Sequence, residues 1–277
     1  LPDGLLFFDR GWLSSNNVLL RDEERCWLID TGYWTHAKQT LALVESALGE
    51  RSLTNILNTH LHSDHCGGNA ALLERYPNAH MAIPPGHANY VFDWDPAALT
   101  YTPTGQHCPQ FRADGVIRPG DRFDVGSMQW EVYAAPGHDP HSVIFYCAPH
   151  GILVSADSLW ENGFGVVFPE LEGIGAFDEV ANTLDVIEKL APRVILPGHG
   201  SAFTDVDGAL ARARARLSDF RKSPGRHAQY AAKVLLKFKL LEFQKIKQTE
   251  FLSWAERTQF LKLLFAKYTE IASFEAW

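Results

Sequence analysis

The chain reads as a mixed α/β fold, with sheets covered by helices, that passes into a helical C-terminal region. Three observations predict it. Short apolar runs alternate with helical patterns up to about residue 200. Those runs are brief and rich in Val, Ile and aromatic residues, as strands are. After the turn Pro197-Gly198-His199-Gly200 the pattern becomes almost wholly helical. Such a mixture fits helix-covered sheets better than a bundle or an all-β sandwich.

In chain order, strands are expected at Asn17 to Leu20, Cys26 to Ile29, Asn55 to Asn58, His80 to Ile83, Trp130 to Ala134, Ser142 to Cys147, Ile152 to Ser155 and Val194 to Leu196. Helical patterns lie between them at Ala37 to Leu48, Asn69 to Arg75 and Ala176 to Lys189. Residues 84 to 115 carry Pro84, Pro85, Gly86, Pro96, Pro103, Gly105 and Pro109 among Tyr90, Phe92, Trp94 and Tyr101. Loop punctuation with large aromatics predicts a long excursion that either walls a pocket or docks on the core. Further helices are expected near Asp207 to Phe220, Ala228 to Ile246 and Phe251 to Lys267. Tyr230, Val234, Leu235, Phe238 and Leu241 recur every three or four residues, the stripe of a packed helix. The organisation expected is one α/β domain over residues 1–205 and a helical region over 206–277.

Bulk properties narrow the classes. The 277 residues suffice for one large domain with a smaller addition. Net charge is −8, so nothing global asks for nucleic acid or an anionic membrane. Residues 221–247 hold eight Lys or Arg against Glu242 alone, a net +7 that leaves −15 for the remainder. That stretch, with Lys233 and Lys237 on it, is either a docking face for an anionic substrate or a solvated helix face. Four widely spaced cysteines (Cys26, Cys66, Cys108, Cys147) are too few for a disulfide scaffold. The longest apolar run, Val143 to Ala148, is far below the roughly 20 residues of a membrane span. No leader pattern is visible in Leu1-Pro2-Asp3-Gly4, so a cytoplasmic location is expected.

Chemistry concentrates in Thr59-His60-Leu61-His62-Ser63-Asp64-His65-Cys66-Gly67-Gly68. Four residues able to bind metal fall within six positions, between the apolar run Ile56-Leu57 and a helix expected from Asn69. In an extended segment His60 and His62 point the same way, and Asp64 and His65 then fall at a helix start. Gly67 and Gly68 permit close approach at the turn. Imidazole and carboxylate together suit a first-row divalent ion. Clustered without one, they face an uncompensated desolvation cost. Further along, His138, Asp157 and His199 each follow a strand-like run, where an α/β scaffold can converge distant residues. Periodicity alone does not select these three.

These blocks resemble the metallo-β-lactamase superfamily. Its His-x-His-x-Asp-His motif is matched by His60, His62, Asp64 and His65, and its later ligands by His138, Asp157 and His199, in order over about residues 10–205. The resemblance implies a four-layer αββα sandwich with two divalent metal ions at one sheet edge, zinc first and iron or manganese as alternatives. It implies that His60, His62 and His138 hold one ion, that Asp64, His65 and His199 hold the other, and that Asp157 bridges them. Asp30-Thr31-Gly32 resembles the family's early Asp-x-Gly segment, so Asp30 is expected to order the ligand loop from behind, or to cap a plain turn. An aspartate at 157 departs from the antibiotic-hydrolysing branch that uses cysteine there, so β-lactam hydrolysis is not expected. Gly137-His138-Asp139-Pro140-His141-Ser142 also departs from the common Gly-His-Thr-Pro-Gly-His, which makes Asp139 and His141 candidate substrate contacts beside Tyr90, Phe92 and Trp94.

The activity implied is hydrolysis by a bridging hydroxide, with Asp64 positioned to accept a hydrogen bond from it. The expected substrate is a small, anionic ester, thioester or lactone. The branches resembled are the glyoxalase II-like thioester hydrolases and the small β-lactamase-like group, which implies a catalytic domain over residues 1–205 and a substrate-shaping or winged-helix-like addition over 206–277. The alternative is a phosphodiesterase or a ribonuclease selective for single-stranded RNA. An oxygenase and a non-catalytic metal-binding protein are the other classes. A homodimer is left open.

Overall fold

Alternate residues of a strand point to opposite faces. Here both faces are apolar, so each sheet has to be covered twice. A computed structural model describes residues 1–271, 273 and 274 and contains two mixed sheets. The first has six strands in the order β1 (Leu5–Phe8), β2 (Asn17–Arg21), β3 (Cys26–Ile29), β4 (Asn55–Leu57), β5 (His80–Ile83) and β6 (Gly115–Val116). The second has five, from β7 (Arg122–Val125) through β8 (Met128–Ala134), β9 (Val143–Cys147) and β10 (Ile152–Ala156) to β11 (Val194–Pro197). β1 to β3 are antiparallel and β3 to β6 parallel, while β7 to β10 are antiparallel and β11 is parallel to β10.

Between the sheets, Val18, Leu20, Ile29 and Leu57 meet Trp130, Val132, Phe145, Val154 and Leu196. Burying a side chain of this size contributes roughly 1.5–3 kcal/mol. The intervening residues face outward. Leu19, Leu28 and Ile56 pack on Val44 and Leu48 of α1 (Ala37–Leu48) and Leu72 of α3 (Asn69–Arg75). Ile144, Leu153 and Ile195 pack on Val180, Leu184 and Ile187 of α7 (Phe177–Leu190) and on Ala209, Leu210 and Ala213 of α8 (Val206–Lys222). The result is the αββα sandwich expected.

A C-terminal helical extension follows: α8, then α9 (Pro224–Phe243), α10 (Gln248–Arg257) and α11 (Gln259–Tyr268). α8 also completes the outer layer of the second sheet. Among the described residues no strand follows β11, and no helix is long and apolar enough to cross a membrane.

Three strands are absent from the sequence reading: β1, β6 and β7. All are sheet edges, short and partly exposed, where the apolar signal is weakest. The pattern read as one helix over 251–267 is two helices, broken where Thr258 takes an extended backbone (φ −68°, ψ 114°). The excursion over 84–115 contains two short helices, α4 (Ala88–Phe92) and α5 (Tyr101–Thr104). A turn of helix, α2 (Ser63–Cys66), begins at the motif where a helix start is expected, and α6 (Phe168–Glu172) lies beyond β10.

Candidate metal centre

β3 and β4, like β10 and β11, are parallel neighbours, so their C-terminal ends share an edge. From that edge emerge Asp30 after β3, the histidine motif after β4, His138 after β8, Asp157 after β10 and His199 after β11. Hydrogen bonds stitch the loops together. Ser15 N–H donates to Asp64 O (3.0 Å), Asn16 N–H to Gly198 O (2.7 Å) and Val143 N–H to Thr59 O (2.8 Å). Asn16 Nδ2 donates to Pro197 O (2.9 Å) and Gly200 O (2.7 Å). Gly198 is needed here because a Cβ would lie 2.2 Å from Asp157 Oδ1.

The seven residues expected to bind metal converge. Candidate ligand atoms within 4.8 Å of one another define three groups: His60, His62 and His138; His60, His65 and Asp157; and Asp64, His65 and His199. His60 and His65 each belong to two groups, so the three merge into one elongated centre. Asp157 faces both ends, with Oδ2 3.4 Å from His138 Nε2 and Oδ1 3.4 Å from His65 Nε2 and 3.9 Å from His199 Nε2. Asp64 Oδ2 accepts from His199 Nε2 at 3.1 Å.

Asp30 sets the proton positions of two imidazoles. Its φ of 58° is rare for a residue with a side chain, and it turns the carboxylate under the motif. Oδ1 accepts from Thr59 N–H (2.9 Å), while Oδ2 accepts from His65 Nδ1 (2.7 Å) and Thr59 Oγ1 (2.8 Å). With the threonine proton committed to Asp30, Thr59 Oγ1 accepts from His60 Nδ1 (3.1 Å). His138 Nδ1 donates to Val166 O (2.5 Å). These assignments follow from the network, and they leave Nε2 of His60, His65 and His138 as lone-pair donors.

Two tests on these residues favour divalent ions. Nε2 of His60 and of His65 are buried without a hydrogen-bond partner, which is costly unless something binds them. Nδ1 of His62 lies 2.7 Å from His138 Nε2, close enough to share a proton, and an ion held by both nitrogens would take that proton's place. Burial, then the charges of neighbouring imidazoles, holds His60 well below the ordinary imidazole range, and burial with His138 takes His62 to about 4. Burial opposes ionisation of Asp64 and Asp157, yet the histidines around them outweigh it and hold both carboxyls down. Burial likewise opposes charge on His65 and His199, yet the carboxylates beside them outweigh it and raise both. A cation bound there would displace those protons, leaving the neutral imidazoles and ionised carboxylates that bind metal. The centre is a candidate dinuclear metal site, and its donors suit zinc, iron and manganese alike.

The centre forms the floor of a cavity of about 450 Å³. Tyr90 and Asp139 line it. The other expected contacts lie off the wall. Phe92 is 57% exposed, Trp94 packs on Phe111 (5.4 Å) and Tyr101 (6.2 Å), and His141 packs on His87 (4.6 Å). Lys233 is exposed, and the Lys237 ammonium sits 3.9 Å over the Trp12 ring. Cys66 turns away from its ligand neighbours toward Tyr101 Oη (3.1 Å) and Cys108 Sγ (3.8 Å), and Cys147 is strand core. Sequence reasoning missed Asn16, Thr59, Trp12, Trp160 and Phe168. Only Thr59 offered a local signal, by preceding the motif.

The metallo-beta-lactamase superfamily profile matches residues 10–199, and the chain belongs to that family. It is 29% identical over 147 residues to a hydroxyacylglutathione hydrolase of Idiomarina loihiensis, covering 53% of this chain and 47% of that one. The chain thus spans about half the length of the hydroxyacylglutathione hydrolases it matches. It is 27% identical over 204 residues to a Bacillus subtilis protein described as "Probable metallo-hydrolase YqgX", covering 71% of this chain and 89% of that one. Among solved structures, a beta-lactamase domain protein from Burkholderia ambifaria superposes with a TM-score of 0.63 at 21% identity, over 96% of this chain and 88% of that one. That likeness concerns the fold alone.

Proposed function

We propose that this protein is a dinuclear metal-dependent hydrolase acting on the carbonyl of an ester, thioester or lactone. The observation that carries the reading is the sharing of His60 and His65 among three ligand groups whose other members, His62, Asp64, His138, Asp157 and His199, line one open cavity. In this reading His60, His62 and His138 would hold one ion, Asp64, His65 and His199 the other, and Asp157 would serve both. Zinc is the first expectation, with iron and manganese as alternatives. Two such ions supply Lewis acidity and water acidified enough to act as a nucleophile near neutral pH.

The chain's own groups do the rest. Asp64 is ionised and lines the cavity, so it can accept a hydrogen bond from the attacking water. Asp30 keeps His65 directly, and His60 through Thr59, in the tautomers that leave Nε2 free. Trp12 and Trp160 flank His199 with ring centroids at 5.9 and 5.4 Å and shield that side from bulk water. The relatives named hydroxyacylglutathione hydrolase support a carbonyl substrate. A phosphodiester or RNA finds little support, since among the described residues no Lys or Arg lines the cavity.

Elemental analysis after expression without metal bias tests the reading, together with a screen of aryl esters, S-acyl glutathione, lactones, cyclic nucleotides and short single-stranded RNA. The expected result is two ions per chain and turnover of a carbonyl substrate. Asp157→Asn should lose occupancy and activity together, with kcat/KM down by at least about a hundredfold. One tightly held ion with unchanged turnover rejects the assignment, and iron with oxygen consumption would indicate redox chemistry.

A further inference from the structure

The side chains above the metal floor are selective about charge. α9 presents Val234, Leu235 and Phe238 to the cavity, and α11 presents Phe260. Phe168 links this wall to the centre, with its ring 5.3 Å from His62, 5.9 Å from His138 and 5.3 Å from Phe260. An apolar path therefore runs from the candidate ligands into the C-terminal helices.

Cations are kept off that path. Among the described residues no Lys or Arg lines the cavity; the acids that do so outside the candidate ligands are Glu172, Glu179 and Asp139, the last with Oδ2 4.0 Å from His62 Nε2. Two cations behind the wall are covered by its own rings, Lys237 over Trp12 at 3.9 Å and Arg216 over Tyr230 at 5.4 Å. Lys239 is paired with Glu242 at 3.0 Å. The basic run of α9 thus supplies no counter-charge inside the cavity, and along the wall, away from the metal floor, an anionic group would meet carboxylates and aromatic faces.

Resting on the hydrolase reading, we infer that the substrate carries an uncharged apolar chain or ring on its carbonyl, seated between Phe168, α9 and α11, and that the site discriminates against anionic conjugates. The cavity has the size and the lining of a small-molecule site. Transfer of methylenes into such a wall sets a gradient with chain length, about fourfold in kcat/KM for each methylene buried.

The test uses the metal-loaded full chain and p-nitrophenyl acetate, butyrate, hexanoate and octanoate, beside the hexanoate analogue ending in a carboxylate and an S-acyl glutathione. The expected result is a rise of about fourfold per methylene until the cavity is full. The carboxylate-terminated ester should fall at least about tenfold below its neutral match, in line with an uncompensated charge entering an apolar wall. Val234→Arg should flatten the gradient and raise the carboxylate ester relative to the neutral one. A flat series, or a preference for the carboxylate ester or the glutathione thioester, overturns the inference and leaves the hydrolase reading standing. Ligand-observed NMR with octanamide and acetamide separates the two claims. Tighter binding of octanamide by protein that hydrolyses nothing in the panel sustains the apolar site and sinks the hydrolase reading. Equal binding of the two amides overturns the apolar site.

Discussion

At the ligand edge, Asp30, Thr59 and Asn16 fix other groups through buried hydrogen bonds at defined distances. The cavity wall opposite is built from Val234, Phe238 and Phe260, which are held by packing with no polar partner to set their positions. The first arrangement fixes orientation, because a hydrogen bond weakens steeply with angle. The second tolerates change, because a hydrophobic surface of about the right size still packs. Reaction chemistry sits on the edge that cannot be altered cheaply, and substrate preference on the wall that can.

Three measurements break or sharpen this contrast, beginning with the largest effect. Asp30→Asn keeps the shape but cannot accept from His65 Nδ1, Thr59 Oγ1 and Thr59 N–H together. Metal affinity or kcat/KM should fall about 10–100-fold, as for other groups that orient metal ligands from behind. Unchanged metal content and turnover would show that the edge is no more sensitive than the wall.

His227, on α9, connects the extension to the sandwich. It is 1% exposed, accepts from Val167 N–H at 3.1 Å, and lies against Phe177 and Phe220. Burial lowers its pKa from 6.5 to about 4. As pH falls the unfolded chain takes up this proton first, so stability is whole above 6.5 and declines as pH drops through 4. The loss reaches up to about 3 kcal/mol below that pH. His227→Gln keeps an acceptor without the titration, so chemical denaturation should show a shallower decline than the native chain between pH 6.5 and 4. Parallel curves would remove His227 from this role.

Lys233→Ala should have the smallest effect. The side chain is exposed and off the cavity, so stability should stay within about 0.5 kcal/mol, and KM for the best neutral ester should move less than about twofold. A large rise in KM would restore the basic run of α9 as a docking face.

Legibility in the sequence followed the range of the signal. His60, His62, Asp64 and His65 were readable because their density is local. His138, Asp157 and His199 are single residues after strand ends, and the family resemblance was needed to select them. The buried strands were placed within a residue or two, with exact bounds for Cys26–Ile29 and His80–Ile83. The edge strands β1, β6 and β7 escaped because short, partly exposed segments carry little pattern, whereas the edge strand β11 is largely buried and was read. Asn16 escaped because asparagine is common in loops and its partners, Pro197 and Gly200, lie far along the chain. Trp160, which donates to Asp157 three residues away, escaped because a single tryptophan carries no spacing signal.

By itself the sequence determined the layered α/β plan and the local donor cluster, since strand alternation and ligand spacing act over a few residues. Only the tertiary structure decided that Asp157 faces both ends of the centre, that Asp30 governs two imidazoles, and that the lysines of α9 stay off the cavity while Val234 and Phe238 line it. Those are distances between residues remote in the chain, fixed when two sheets close on one core and the helices pack over their edge.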